Sequence, residues 1–139
     1  MPEMPFPDEV RALLAKSNPA VVAYTTESGQ PASVATWYLL ESDDRILLNM
    51  DHTRARLRHL RADPRVSLTV LDDKNWYTHI TLVDSVTGLQ PDADLADIDR
   101  LSQHYVSAPF HDRESLRVSG WIEVDRWHGW RKSHTIKTV

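Results

Sequence analysis

Arg54 and Arg56 stand two residues apart behind Thr53, after the β-like run 45–50 and at the head of a helix-forming stretch. The first turn of a helix presents free N–H groups and the positive end of the helix dipole, and both attract an anion. Two guanidinium forks and a threonine hydroxyl at that place form a donor set for a phosphate. Arginine in a first turn also opposes the dipole, so a bound anion relieves a repulsion. The other reading is a solvated surface helix, which suits Arg58, Arg61 and Arg65, free to face water or pair with Asp. Segment 53–65 holds five Arg and one Asp in a chain whose formal net charge is −4. Basic charge is therefore local, pointing to a small anionic ligand and away from nucleic acid.

Two further groups could serve a ligand. Ser33, Ala35 and Thr36 are small and are followed by Trp37 and Tyr38. On a strand, that order lets a flat ring approach the backbone and be bounded at one end, although ordinary strand packing explains it as well. Trp76 and Tyr77 are adjacent, and in a strand they would point to opposite faces, so at least one needs a partner surface or a ligand.

Other chemistries find little support. The chain has no cysteine, which excludes a disulfide scaffold, thiolate metal sites and thiol catalysis. Its seven histidines form no i,i+4 pair and no H-E-x-x-H motif. Spacing alone permits a Ser-His-Asp triad, but there is no Gly-x-Ser-x-Gly elbow. Four glycines leave no phosphate-binding P-loop. An enzyme built from this sequence therefore needs a cofactor to carry the reaction. No apolar run approaches the roughly 20 residues of a membrane span, and residues 1–5 lack the features of a signal peptide. The expected location is the cytoplasm. A length of 139 residues suits one domain, 1–139, with a single core.

These groups must be positioned by the elements around them. Val10, Leu13 and Leu14 recur at helical spacing in 7–16, and Asn18-Pro19 ends that helix. Strands are expected over 20–26 and 31–41, joined as a hairpin through Glu27-Ser28-Gly29-Gln30, and over 45–50. A helix from Thr53 to about Ala62 follows, with Thr53 as its N-cap, Leu57 and Leu60 inward, and Asp63-Pro64 as its stop. Next come strand 65–71 and a long strand over 76–89, bent or bulged. A helix over 91–106 is opened by Asp92 and Asp94, with Leu95, Ile98, Leu101 and Tyr105 on one stripe. A last strand spans 118–124, and the tail beyond is ordered only in part. Strands joined by tight turns imply an antiparallel sheet, mainly β with α, closed into a small barrel.

The run Thr53-Arg54-Ala55-Arg56-Leu57-Arg58-His59-Leu60-Arg61-Ala62-Asp63-Pro64-Arg65, the hairpin with Gly29-Gln30-Pro31, and Val124-Asp125-Arg126-Trp127-His128-Gly129-Trp130 together resemble a known superfamily. It is that of the flavin and deazaflavin oxidoreductases built on the split β-barrel of pyridoxamine 5′-phosphate oxidase, in particular the small members that use coenzyme F-420. The resemblance covers about residues 7–130 and leaves 131–139 as a tail. It implies a split β-barrel with peripheral helices. It also implies that Thr53, Arg54 and Arg56 bind the cofactor phosphate, that residues from Ser33 through Ala35 and Thr36 to Trp37 line its ring, and that Asn49 and Met50 lie beside it. Members are usually homodimers with cofactor sites at the interface, where Trp76 and Tyr77 would come from the partner chain, and hydride would pass to a small organic acceptor. Many members carry Lys where Arg56 stands, and Trp37 is bulkier than the polar residue often found there. The arginines do not choose between F-420 and FMN, since both end in phosphate-bearing tails. A non-catalytic carrier of such a ligand and a structural dimer without cofactor are the remaining readings.

Overall fold

The computed structural model describes residues 4–131 and 134–137. Its elements, in chain order, are α1 (Asp8–Leu14), β1 (Ala20–Thr25), β2 (Pro31–Thr36), β3 (Leu39–Leu40), β4 (Ile46–Asp51), α2 (Ala55–Ala62), β5 (Arg65–Leu71), β6 (His79–Pro91), α3 (Ala96–Val106), β7 (Arg117–Arg131) and β8 (His134–Lys137). The strands form one antiparallel sheet in the order β2-β1-β5-β6-β7-β4-β3, with β8 added to β7.

The two ends of that path are neighbours in sequence. Only Trp37 and Tyr38 separate β2 at one edge from β3 at the other. Three Cα steps reach at most about 11 Å, so the sheet must curl until its edges nearly meet. This is the split β-barrel, and the split lies at Trp37-Tyr38. The expected single strand over 31–41 is thus two strands. Leu39 and Leu40 leave β1 and pair with Leu47 and Ile46 instead. Tyr38 drives the break: it is wholly buried, and its hydroxyl donates to the Leu14 carbonyl at 2.8 Å while accepting from Asn18 Nδ2 at 3.2 Å. Asn18 Nδ2 also donates to the Leu13 carbonyl at 2.6 Å, tying the end of α1 to the barrel.

Alternation builds the interior. In β5, Val66, Leu68 and Val70 face inward, and they meet Val22, Ile80, Leu82, Ile46, Leu48, Met50 and Ile122 in one cluster. Burying one such aliphatic side chain contributes roughly 1.5–3 kcal/mol. The hairpin turn between β1 and β2 places Gly29 at φ +88°, where a residue with a Cβ would be strained. Strand β6 is bulged, as its length suggests, with register shifts at Val83/Asp84 and Thr87/Gln90.

Other element bounds differ from expectation, most of all in the second half of the chain. β6 starts at His79, not at residue 76, and it runs on through Pro91, so the third helix begins only at Ala96. β7 continues to Arg131, seven residues past the expected strand end at 124. The charged run Glu123-Val124-Asp125-Arg126 obscures its alternation, but Leu82 pairs with Trp127, whose fully buried ring fills that end of the barrel against Phe6. The expected partial order of the tail falls in part on residues 132–133 and 138–139, which lie outside the described residues.

A second cluster sits on the outer face of β4 and β7. Leu47 and Trp121 pack there against Ile98 and Leu101 of α3, with Trp37, Leu39, Leu95 and Phe110 around them. No helix among the described residues is long and apolar enough to cross a membrane.

Candidate functional site

A cleft of about 620 Å³ opens between the split edge and α3. Ala35, Thr36, Trp37 and Asn49 line it, together with Tyr105, Phe110 and Arg117. Trp37 is held rigidly: its ring stacks on Tyr105 at 5.2 Å with planes 8° apart, and Phe110 meets it edge-on at 6.2 Å. Tyr105 is itself anchored, its hydroxyl donating to the Asn18 carbonyl at 2.6 Å, and burial pushes its phenol up to about 12. One part of the wall is thus aromatic and fixed, a surface that suits a planar ligand.

Asn49 faces this cleft because successive residues of β4 alternate sides. It pairs across the ladder with Ser119, and Leu47 with Trp121, all on the outer face. Met50 points the other way, into the barrel core, 2 % exposed. It is therefore not a wall of the cleft. Ser33 lies two residues before Ala35 on the exposed side of edge strand β2, outside the lining of the cleft.

The arginines stand at the far end of β4. The chain leaves the strand at Asp51 and enters α2 through His52, Thr53 and Arg54. Thr53 is not the N-cap. Its hydroxyl donates to Asp51 Oδ1 at 2.7 Å and its N–H to the same oxygen at 2.8 Å, and these bonds lower the Asp51 carboxyl below its usual range. Arg54 occupies the N-cap position in extended conformation, and no side chain caps the helix. The first turn holds no acidic residue. Arg54 is exposed and Arg56 half-buried, and neither guanidinium has a hydrogen bond or an ion pair among the described residues. Burial lowers the Arg56 guanidinium from its ordinary value; the Arg54 charge adds to this, and Tyr24 opposes it. The other basic residues are spent or solvated. Arg58 pairs with Glu27 at 2.6 Å, Arg65 pairs with Asp63 at 2.7 Å, and Arg61 is exposed.

Trp76 and Tyr77 lie in the β5–β6 loop, not in a strand. They stack on one another at 4.4 Å, 63 % and 53 % exposed, so neither finds its surface within the chain's described residues. The expected opposite orientation fails because Asn75 turns the chain there, accepting the Thr78 N–H at 2.9 Å on its carbonyl.

Arg117 was not legible as a site residue in the sequence, where it is one isolated charge before the last strand. Its Nε donates to Asn49 Oδ1 at 2.7 Å and its guanidinium lies over the Phe110 ring at 4.7 Å. Burial lowers it from its ordinary value; Asp51, Asp112 and Asp92 pull the other way, and Arg54 adds to the lowering. Asn49 in turn donates to Asp92 Oδ2 at 3.1 Å and to Ser119 Oγ at 3.0 Å. Asp92 accepts the N–H groups of Asp97 and Ile98 at 3.1 and 2.9 Å, so it docks the start of α3 onto the sheet.

A sequence model for pyridoxamine 5′-phosphate oxidase matches residues 6–131. No curated protein matches the chain. Among solved structures, an F-420 reductase superposes with a TM-score of 0.77 at 22 % identity, covering 88 % of this chain and 98 % of that one. A conserved hypothetical protein from Mycobacterium tuberculosis gives 0.72 at 22 % identity, covering 92 % and 86 %. A heme binding protein from Mycobacterium smegmatis gives 0.72 at 18 % identity, covering 97 % of this chain and 59 % of its own. At these identities the likeness is one of fold.

Proposed function

The chain belongs to the pyridoxamine 5′-phosphate oxidase family, and from that premise we propose that it is an oxidoreductase using a phosphate-bearing flavin-type cofactor, coenzyme F-420 ahead of FMN. The observation that carries the reading is Arg56: a half-buried guanidinium without an acidic partner among the described residues, beside Arg54 at an uncapped helix start. A desolvated cation at the positive end of a helix calls for an anion. The residues present fit the cofactor, since this anion site lies at the end of the strand whose Asn49 faces a flat aromatic cleft.

When bound, the cofactor supplies hydride transfer to a small organic acceptor. Arg54, Arg56 and the free N–H groups of α2 hold its phosphate. Ala35 and Thr36 leave room for its ring, which Trp37 bounds. Tyr105 and Phe110 exclude water from the reacting face. The exposed, stacked Trp76 and Tyr77 support a homodimer in which these residues of the partner subunit close the cleft. The likeness to the F-420 reductase is what supports our putting F-420 ahead of FMN. We place the protein in the cytoplasm, in keeping with a chain that uses no cysteine.

Titration of purified protein with F-420, FMN and haem, followed by fluorescence quenching and the haem absorption band, tests the reading. F-420 binding together with oxidation of its reduced form by a quinone or enone is the expected result. Tight FMN binding with none for F-420 reverses the cofactor order, and F-420 binding without hydride transfer to any acceptor favours a carrier. Binding of haem alone overturns the assignment.

A further inference from the structure

We infer that Arg117 is the acceptor-binding residue of the cleft and that it selects planar acceptors carrying a carboxylate. This deepens the function proposed above, because it names the substrate class of the same site. Arg117 lines the cleft beside Phe110 and Asn49 and is half-buried. Only its Nε is engaged, on Asn49 Oδ1 at 2.7 Å; among the described residues its two Nη groups meet no acceptor and no carboxylate lies within ion-pair distance. Three aspartates act on it from further off, and each is committed elsewhere. Asp51 takes the hydroxyl and N–H of Thr53, Asp92 takes the first turn of α3, and Asp112 takes the hydroxyl and N–H of Ser115 at 2.6 and 3.1 Å. The open edge of the fork is therefore an unsatisfied charged group in a mainly apolar pocket.

The fork is also held in place. Asp92, pinned by two N–H groups of α3, accepts from Asn49 Nδ2 and so fixes which end of the amide is the oxygen. That oxygen receives Arg117 Nε, and the Phe110 ring supports the guanidinium from one face. A guanidinium ordered in advance loses little freedom on binding, and its two Nη groups match the two oxygens of a carboxylate. Among the other walls, Ile98, Leu101 and Tyr105 suit a flat hydrocarbon body. Arg54 and Arg56 lie at the helix start and not in the lining of this cleft, so cofactor phosphate and acceptor carboxylate have separate cations.

The test compares 2-naphthoate with its uncharged methyl ester, each titrated by ligand-observed NMR into protein without cofactor. Wild type is expected to prefer the acid by roughly ten- to thirtyfold, the scale of a charge-assisted contact. Arg117→Gln should bring the two affinities within about threefold of each other, and Arg117→Lys should keep only part of the preference. The Arg54→Ala/Arg56→Ala protein should keep most of it, since Arg54 acts on Arg117 only through space and only as a minor influence beside burial. Circular dichroism reports folding, and the Lys variant serves if the Gln variant does not fold. An indifferent wild type, or a preference that survives Arg117→Gln, overturns the inference. So does a loss of F-420 or FMN affinity in Arg117→Gln as large as that in the double arginine variant, since Arg117 would then belong to the cofactor. If neither F-420 nor FMN binds wild type, the proposed function fails while the acid-over-ester preference still stands or falls by itself.

Discussion

Replacing both Arg54 and Arg56 by Ala tests the phosphate clamp directly. Arg56 is half-buried and unpaired among the described residues, so a contact from it to phosphate is charge-assisted and incompletely screened. Such a bond contributes about 1.5–3 kcal/mol. Arg54 is exposed, and its contact is worth about 0.5–1 kcal/mol after screening. Together they predict a loss of about 2–4 kcal/mol, or roughly 30- to 1000-fold in Kd. Stability should move little, because the variant removes a desolvated charge that no carboxylate compensates and puts a better helix former at position 56, while Ala at the N-cap position 54 brings no such gain. The packing of α2 rests on Leu57 and Leu60, 7 % and 1 % exposed, which the change leaves intact. The assay is cofactor fluorescence quenching at low and high salt, with a thermal melt of each protein. Wild-type affinity should fall with salt, and the variant's much less. A Kd within about threefold of wild type would refute the clamp. A drop in Tm above about 5 °C would show instead that the arginines hold the fold.

Tyr38→Phe removes the hydroxyl that joins Leu14 and Asn18 at the split, and should cost about 1–3 kcal/mol, read as a Tm roughly 3–10 °C lower. An unchanged Tm would mean that the buried bonds do not hold the barrel closed. Burial raises the phenols of Tyr38 and Tyr105, the latter to about 12. Their protons are held more tightly folded than unfolded, so stability is intact below about pH 10 and declines as pH rises through the folded values; denaturant midpoints that stay flat from pH 9 to 11, within these assay limits of roughly one unit either side of the free phenol, count against this. Gly120→Ala places a methyl 2.8 Å from Val86 Cγ1 and Leu89 Cδ2, and should destabilise by about 1–3 kcal/mol in urea melts. A neutral result would show that the β6 bulge yields freely.

Most elements were legible because local chemistry specifies them. Val10, Leu13 and Leu14 mark α1, and alternation marks β5. Pro64 ends α2, and the Arg-rich start of that helix declares an anion site in any context. Adjacent aromatics were less legible, since Trp76-Tyr77 follows no period and proved to be a loop pair stacked on itself. The assignment of Thr53 as N-cap failed because Asp51, two residues earlier, competes for its hydroxyl.

By its own pattern the sequence determined an antiparallel, cysteine-free β structure with local basic charge at one strand-to-helix turn. Those properties depend on neighbours within a few residues, where spacing alone decides which groups meet. Tertiary structure decided the rest. Curling of the sheet brought its two edges together around Trp37-Tyr38, and α3 then roofed the outer face of β4 and β7. Only that closure sends Asn49 to the cleft and Met50 to the core, and brings Arg117 onto Asn49 across 68 residues of sequence. Contacts over such separations come from strand order, which no local pattern records.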